Sequence, residues 1–349
     1  MDGIRVLVAD SSSVYKKMFM QAVMEVDKKA SIACVNDGKE AVELIKRNDY
    51  DFIIVDAEIQ GTGLDAFLKL IIRDIPKAFV LVTARPSSTS TKVFLEALSK
   101  GASESMTKPI YDGYSENYDI VKNKVAEVIE MLRSRTKKGE EEHKVLVEKP
   151  KIPLQTKGFR PQIILIAVST GGPRALESII PELRRDISVP ILVVQHMPPH
   201  FIEILTERLN SKSELKVKVA EDGEIISGGT VYLAPGGAHM RLSSENQIYL
   251  DDSPPINGVR PAADALFESV ANDFYGNKIL AVILTGMGQD SKSGVTKLKG
   301  KKKCFCIAQS EKTCVVYGMP RAVIDEGLAD MILDLEQIAP EIEGFNYIA

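Results

Sequence analysis

Ser169 closes the apolar run Ile163–Val168 and is followed by Thr170, Gly171, Gly172 and Pro173. Proline suits the first turn of a helix, and the glycines let the backbone turn tightly and approach a ligand. Such a loop has two uses. Its serine is a nucleophile beside helix N-terminal amides that stabilise an oxyanion, or the same amides cradle a phosphate. The loop alone does not choose, but the ends of later strands do. Ile191–Gln195 leads into His196, and Ile279–Leu284 leads through Thr285, Gly286, Met287, Gly288 and Gln289 into Asp290. A serine hydroxyl is a weak nucleophile until a base takes its proton, and an imidazole serves best when a carboxylate holds its tautomer. Ser169, His196 and Asp290 supply those roles. Of the four histidines, His143 lies in a charged stretch, His200 in a helical first turn and His239 in the Gly-rich loop 235–239, which favours His196 as the base. Each of the three residues also has an ordinary use, Ser169 and Asp290 as helix caps and His196 as a satisfied buried imidazole. Their coincidence at successive strand ends is what favours chemistry.

A second group gathers near the N-terminus. Asp10 follows a first strand, Asp56 a third, Thr83 ends a fourth, and Lys108 with Pro109 follows a fifth. Functional residues of open parallel sheets collect beyond the carboxyl ends of the strands. Two carboxylates, a hydroxyl and an ammonium there suit phosphoryl transfer: one carboxylate is the nucleophile, the other holds Mg²⁺, and Thr83 and Lys108 meet the phosphoryl oxygens.

These residues need two doubly wound sheets to position them. At 349 residues the length suggests two domains. The first third alternates apolar runs with amphipathic stretches, the pattern of repeated βα units. Its strands read Ile4–Val8, Ser31–Val35, Phe52–Val55, Phe79–Thr83 and Glu104–Met106, with helices including Val14–Val26, Glu40–Lys46 and Ile120–Leu132. From Arg133 to Arg160, 13 of 28 residues are Lys, Arg, Asp or Glu, and Pro150 and Pro153 interrupt them, which reads as a linker. A second α/β pattern follows, with strands Ile163–Val168, Ile191–Gln195, Thr230–Leu233, Ile279–Leu284 and Phe305–Ala308. Helices lie near Arg174–Leu183, Phe201–Leu209 and Ala262–Phe274. The expected division is 1–132, a linker over 133–159, and 160–349.

A net charge of −4 lacks the basic excess usual in nucleic-acid binders. No apolar run approaches the roughly 18 residues of a spanning helix, and the first ten residues lack a secretory signal, so no membrane insertion and a cytoplasmic location are expected. Cys34, Cys304, Cys306 and Cys314 are too few and uneven for a disulfide framework and lack zinc-site spacing, and they read as small buried hydrophobes.

The N-terminal constellation resembles the response-regulator receiver family over about residues 1–130, with Asp56 at the phospho-acceptor position and Lys108-Pro109 as the signature pair. That implies a flavodoxin-like fold phosphorylated with Mg²⁺, held by Asp10 and Asp56. Three departures stand out: Ser11 replaces a second metal-binding acid, which should weaken Mg²⁺ binding, Gln60 replaces a proline, and Ser105 replaces an aromatic switch residue. A phosphorylated receiver and a docking or inhibitory module are both compatible with this pattern.

The Ser169 order, Ser then His then Asp, differs from that of α/β-hydrolases, and Ala167-Val168-Ser169-Thr170-Gly171 does not fit their nucleophile elbow. The segments 168–172, 195–199, 234–239, 284–290 and 315–320, with Arg260-Pro261, Asp264 and Phe267, instead resemble the catalytic domain of the chemotaxis protein-glutamate methylesterase (CheB) family. The resemblance spans about 160–345, and a receiver joined by a charged linker is that family's domain order. It implies a Rossmann-like catalytic domain that hydrolyses glutamate γ-methyl esters on methylated chemoreceptor cytoplasmic helices, releasing methanol, with glutamine deamidation as a second activity. Ser169 is then the nucleophile, His196 the base and Asp290 its orienter, while Thr170 and Met287 shape the oxyanion site and catalysis needs no cofactor. A chemotaxis histidine kinase is the implied phosphodonor partner, and receiver phosphorylation relieves a blockade of the active site. Ser291-Lys292 stands where the family has Gly-Ala, and Val259 where it has His. If position 291 needs a positive φ, serine there costs about 1 kcal/mol. Two competing readings are a non-catalytic adaptor, motivated by Ser11, Ser105 and Ser291, and nucleotide binding at 169–172. The second is the weaker, since no P-loop lysine or dinucleotide fingerprint follows.

Overall fold

The computed structural model describes residues 3–87, 89–139 and 159–345. The chain divides into two compact units, each described by itself. The first runs β1 Arg5–Ala9, α1 Ser13–Val26, β2 Ser31–Val35, α2 Gly38–Ile45, β3 Phe52–Asp56, α3 Leu64–Asp74, β4 Phe79–Ala84, α4 Ser90–Ser99, β5 Glu104–Thr107 and α5 Tyr114–Gly139. Its five parallel strands are ordered β2-β1-β3-β4-β5. β1, β3 and β4 are buried almost throughout, as their unbroken Val, Ile and Leu runs require of a sheet covered on both faces. The order reverses between β1 and β3, so Asp10 and Asp56 emerge at the crevice where such sheets bind ligands.

α5 is longer than its apolar stripe. Residues 133–139, read above as linker, continue the helix, because no proline interrupts 133–138. The rest of the expected linker, with His143, lies outside the described residues. Among the four cysteines only Cys306 is fully buried. Cys34 is exposed, because β2 is an edge strand.

The second unit runs β6 Ile163–Val168, α6 Gly172–Ile179, β7 Ile191–Gln195, α7 Pro199–Lys212, β8 Lys216–Val219, β9 Thr230–Leu233, β10 His239–Leu242, β11 Ile248–Asp251 and α8 Ala263–Asp273. It continues with β12 Lys278–Ile283, α9 Lys292–Lys301, β13 Lys303–Gln309, α10 Met319–Asp325, β14 Met331–Leu333 and α11 Leu335–Gly344. Seven parallel strands are ordered β14-β13-β12-β6-β7-β9-β8, and β10 and β11 form an antiparallel hairpin. The five anticipated strands are the inner ones. β8 and β14 were missed because edge strands are short, and β8 alternates Lys with Val. The helix expected over 174–183 ends at Ile179 and tightens into a 3₁₀ turn at Ile180–Glu182, where Pro181 supplies no N–H to an α-helical ladder.

The chain builds outward from β6, through β7 to one edge and through β12 to the other, so the topological switch point lies between β6 and β12. Leu165, Ala167, Leu192, Val194, Leu266, Phe267, Val270 and Ile283 belong to one continuous core beneath it. Among the described residues no helix is long and apolar enough to cross a membrane.

Candidate active site

The β6–β7 register pairs Val168 with Gln195, so the next residues, Ser169 and His196, leave neighbouring strands side by side. Ser169 is tied to the other neighbour through its N–H, which donates to Thr285 O at 3.0 Å beyond the end of β12. Its carbonyl accepts from Gly172 N–H at 2.8 Å and from Gln195 Nε2 at 3.1 Å, closing the turn into α6. Gly286 is a glycine because a Cβ there would lie 2.8 Å from Ser169 Cβ. Met287, next in the chain, is partly exposed beside this contact. Thr285 Oγ1 donates to Thr170 O at 2.9 Å and accepts from Val316 N–H at 2.9 Å, fixing the loop after Ser169 against the segment after β13.

His196 Nε2 lies 2.7 Å from Asp290 Oδ2, and both side chains are largely buried. With Nε2 engaged by the carboxylate, Nδ1 is the nitrogen left to accept a proton. This reverses the usual arrangement of a serine protease, in which Nδ1–H faces the aspartate. Asp290 does not cap its own following helix. Its Oδ2 accepts Ala263 N–H at 2.6 Å and its Oδ1 accepts Asp264 N–H at 3.0 Å, so the carboxylate sits on the N-terminus of α8. Burial pushes the Asp290 carboxyl up, but the His196 bond and charge and these two amides outweigh it and hold it below the usual carboxylate range.

Residue 291 does adopt a positive φ, +93°, with Ser291 fully buried and its Oγ without a hydrogen-bond partner among the described residues. His239 is a satisfied core histidine: Nδ1 accepts Ala262 N–H at 3.1 Å and Nε2 donates to Pro254 O at 3.2 Å. His200 is exposed and pairs with Glu203. Asp264 and Asn257, which no strand-end pattern marks, are the neighbours of Asp290 that the sequence reading did not connect to it.

In the first unit Lys108 is buried and its ammonium bonds Asp56 Oδ2 while lying 2.6 Å from Asp10 Oδ2. Asp10 Oδ1 accepts Ser12 N–H and Asp56 Oδ1 accepts Glu58 N–H, both at 2.8 Å. Asp10 Oδ2 accepts no well-aligned hydrogen bond among the described residues. Burial pushes the Asp10 carboxyl up, against the Lys108 bond and charge, which pull it down. Thr83 Oγ1 donates to Val55 O at 3.4 Å. The Tyr15 ring stands 4.9 Å from Lys108 Nζ, a cation–π partner absent from the sequence reading. Ser11 is exposed, and among the described residues no three acidic, histidine or cysteine side chains gather as metal ligands.

Comparison with known proteins gives the same two-part picture. The CheB methylesterase family matches residues 164–342, and the response regulator receiver domain family matches 6–114. The chain is 38% identical over 346 residues to the protein-glutamate methylesterase/protein-glutamine glutaminase of Thermotoga maritima, covering 97% of both chains. It is 36% identical over 351 residues to the protein of the same name from Bacillus subtilis, again covering 97% of both. The crystal structure of the Thermotoga maritima CheB methylesterase catalytic domain superposes with a TM-score of 0.51 at 46% identity, covering 53% of this chain and 99% of that one.

Proposed function

Because the chain belongs to the CheB methylesterase family, with a response-regulator receiver ahead of its catalytic unit, we propose that it is a serine hydrolase of glutamate γ-methyl esters on chemoreceptor signalling helices. The observation that carries this reading is the His196–Asp290 contact of 2.7 Å at the switch point of the sheet, one strand from Ser169. Ser169 Oγ attacks the γ-carbonyl carbon while its proton passes to His196 Nδ1, and the charge of Asp290 stabilises the imidazolium through Nε2–H. The tetrahedral oxyanion is met by amides at the start of α6 and around Thr170 and Met287. Collapse returns the proton to the leaving methoxide, giving methanol and an acyl-Ser169. Water, deprotonated by His196, then releases the free glutamate. The same steps applied to a glutamine side chain expel ammonia, the deamidation named for the relatives.

The division that supports this activity is a receiver over 1–132, a charged connection over 133–159 whose first residues prolong α5, and a catalytic unit over 160–349. In the receiver, Asp56 is the phosphate acceptor, supplied by a chemotaxis histidine kinase, with Thr83 and Lys108 meeting the phosphoryl oxygens. Asp10 and Asp56 would hold Mg²⁺, which when bound offsets phosphoryl charge. The buried Asp10 Oδ2, which already faces the Lys108 ammonium at 2.6 Å, fits a cation, while the neutral Ser11 adds no third charge, so the metal is held less tightly than by three carboxylates. The work site is the cytoplasmic part of the receptors, reached without insertion into the membrane. The adaptor alternative is disfavoured by the intact contact of His196 with Asp290, since a degenerate site has no need of it.

Hydrolysis of a methylated receptor fragment in ¹⁸O-labelled water tests the reading. The label is expected in the new glutamate carboxylate, with unlabelled methanol. Label in the methanol, or no methanol, would contradict it.

A further inference from the structure

Asn257 and Gly258 are the central residues of a tight hairpin in which Ile256 and Val259 exchange backbone hydrogen bonds of 3.1 and 3.0 Å. Their φ angles are +55° and +78°, those of the type I′ turn that Asn-Gly favours. Such a turn needs only the backbone of Asn257. Its side chain does something the turn does not require. Nδ2 donates to Asp264 Oδ2 at 2.8 Å and to Asp290 Oδ1 at 3.2 Å. A primary amide nitrogen carries two hydrogens, and here each serves a different carboxylate. The opposite orientation would aim the amide oxygen at both anions, so the charges themselves fix which end faces them.

The two carboxylates also brace each other's helices. Asp290, just ahead of α9, accepts the first amides of α8. Asp264, in the first turn of α8, accepts Ser291 N–H at 3.1 Å and Gly294 N–H at 2.7 Å at the start of α9. Two buried like charges therefore share one wall of the site. Burial and the charge of Asp290 push the Asp264 carboxyl up, against the donors from Gly294, Asn257 and Ser291. Other charged groups nearby are engaged elsewhere. His239 on β10 bonds Ala262 N and Pro254 O, Arg260 bonds the carbonyls of Asp252 and Ser253, and Lys292 pairs with Glu326. Facing Asp290 across the site is His196.

We propose that Asn257 is a positioning residue for the reaction, a two-hydrogen clamp between Asp264 and Asp290 that keeps Asp290 charged with Oδ2 turned to His196. The inference rests on Ser169, His196 and Asp290 being the catalytic groups. A carboxylate that loses a donor holds its proton to higher pH, and two carboxylates without their shared donor repel more strongly.

Asn257→Gly is the informative variant, because glycine keeps the positive φ of the turn and removes the amide. In the full chain it is expected to lower kcat on methylated receptor about 10-fold with KM unchanged, and to move the acid limb of the kcat/KM profile up by about one pH unit. Asn257→Asp, which sets a third acceptor there, is expected to do more of both. A merely structural role would lower the melting temperature without moving the pH limb. A second readout needs no turnover: in the Ser169→Ala chain, the downfield proton resonance of His196 Nε2–H is expected to vanish at higher pH once Asn257 is Gly. A folded Asn257→Gly chain with an unmoved limb and an unmoved resonance would overturn the clamp. A wild-type chain without Ser169-dependent methanol release would instead overturn the catalytic reading, with the resonance still testing the clamp.

Discussion

Asp10 and Asp290 are both buried beyond the carboxyl edge of a parallel sheet, yet their carboxyls are displaced in opposite directions. Burial is the largest influence on each. Burial raises Asp10, and Lys108 beside it pulls it down, but that ammonium is shared with Asp56, whose own charge pushes Asp10 up again. Its carboxyl is raised. Asp290 has no lysine partner among the described residues and receives His196 Nε2, Ala263 N, Asp264 N and Asn257 Nδ2, two of them at a helix N-terminus. Its carboxyl is lowered. Several donors aimed at one buried carboxylate thus lower it, where one cation shared between two carboxylates does not offset burial. The difference suits the two proposed tasks: Asp290, as orienter of a base, would stay charged through every turnover, whereas a phosphorylation pocket at Asp56 would gain and lose charge as part of its work.

Substitutions sharpen this contrast, and the largest effects fall in the catalytic unit. His196→Ala removes the base and is expected to slow methanol release about 10⁶-fold, and Asp290→Asn, which keeps shape but loses charge, about 10⁴-fold, on serine-protease precedent. A drop of less than tenfold for Asp290→Asn would mean that its charge is not what the donors preserve. In the receiver, Asp56→Asn is expected to remove stimulation of the esterase by a small-molecule phosphodonor with Mg²⁺, read as the ratio of rates with and without donor.

Stability should show the same opposition. Lys108→Met leaves Asp10 and Asp56 buried without their cation and is expected to cost the receiver about 3–5 kcal/mol near neutral pH. That loss should shrink on acidification, as the carboxyls take up protons, and denaturant titrations across pH read it directly. In the parent protein a carboxyl raised above its ordinary 3.8 stabilises the fold below that value and loses the contribution as pH rises through the raised one. Asp290 behaves oppositely, contributing above its ordinary 3.8 and losing the contribution as pH falls through its lowered one. The smallest effect is Ser291→Gly. It relieves a positive φ and an unpaired buried hydroxyl and should stabilise the catalytic unit by about 1 kcal/mol in thermal unfolding.

Ser169, His196 and Asp290 were legible in the sequence because each follows an apolar run whose length and β-branching mark a buried strand, and a parallel sheet sends such positions to one edge. The strain at Ser291 was legible only through the family resemblance, as a serine where that family has glycine. Asn257 was not, and Asp264 entered only as a position matched to the family, without a role. Asn-Gly announces a turn, and nothing local says that its amide reaches two carboxylates 7 and 33 residues away. The ring nitrogen that Asp290 engages was likewise invisible, since it depends on where α8 begins relative to His196. Tyr15 reaches Lys108 across 93 residues for the same tertiary reason. β8 and β14 escaped because edge strands need no continuous apolar run.

In the proposed reaction Ser169 is made nucleophilic by His196, with Asp290 held charged behind it. Methanol release from methylated receptor fragments, compared between the parent chain and Ser169→Ala with the phosphodonor present, tests this most directly. The parent is expected to release methanol stoichiometric with the new glutamate, and Ser169→Ala to fall about 10⁶-fold. Release by Ser169→Ala at the parent rate would contradict the account.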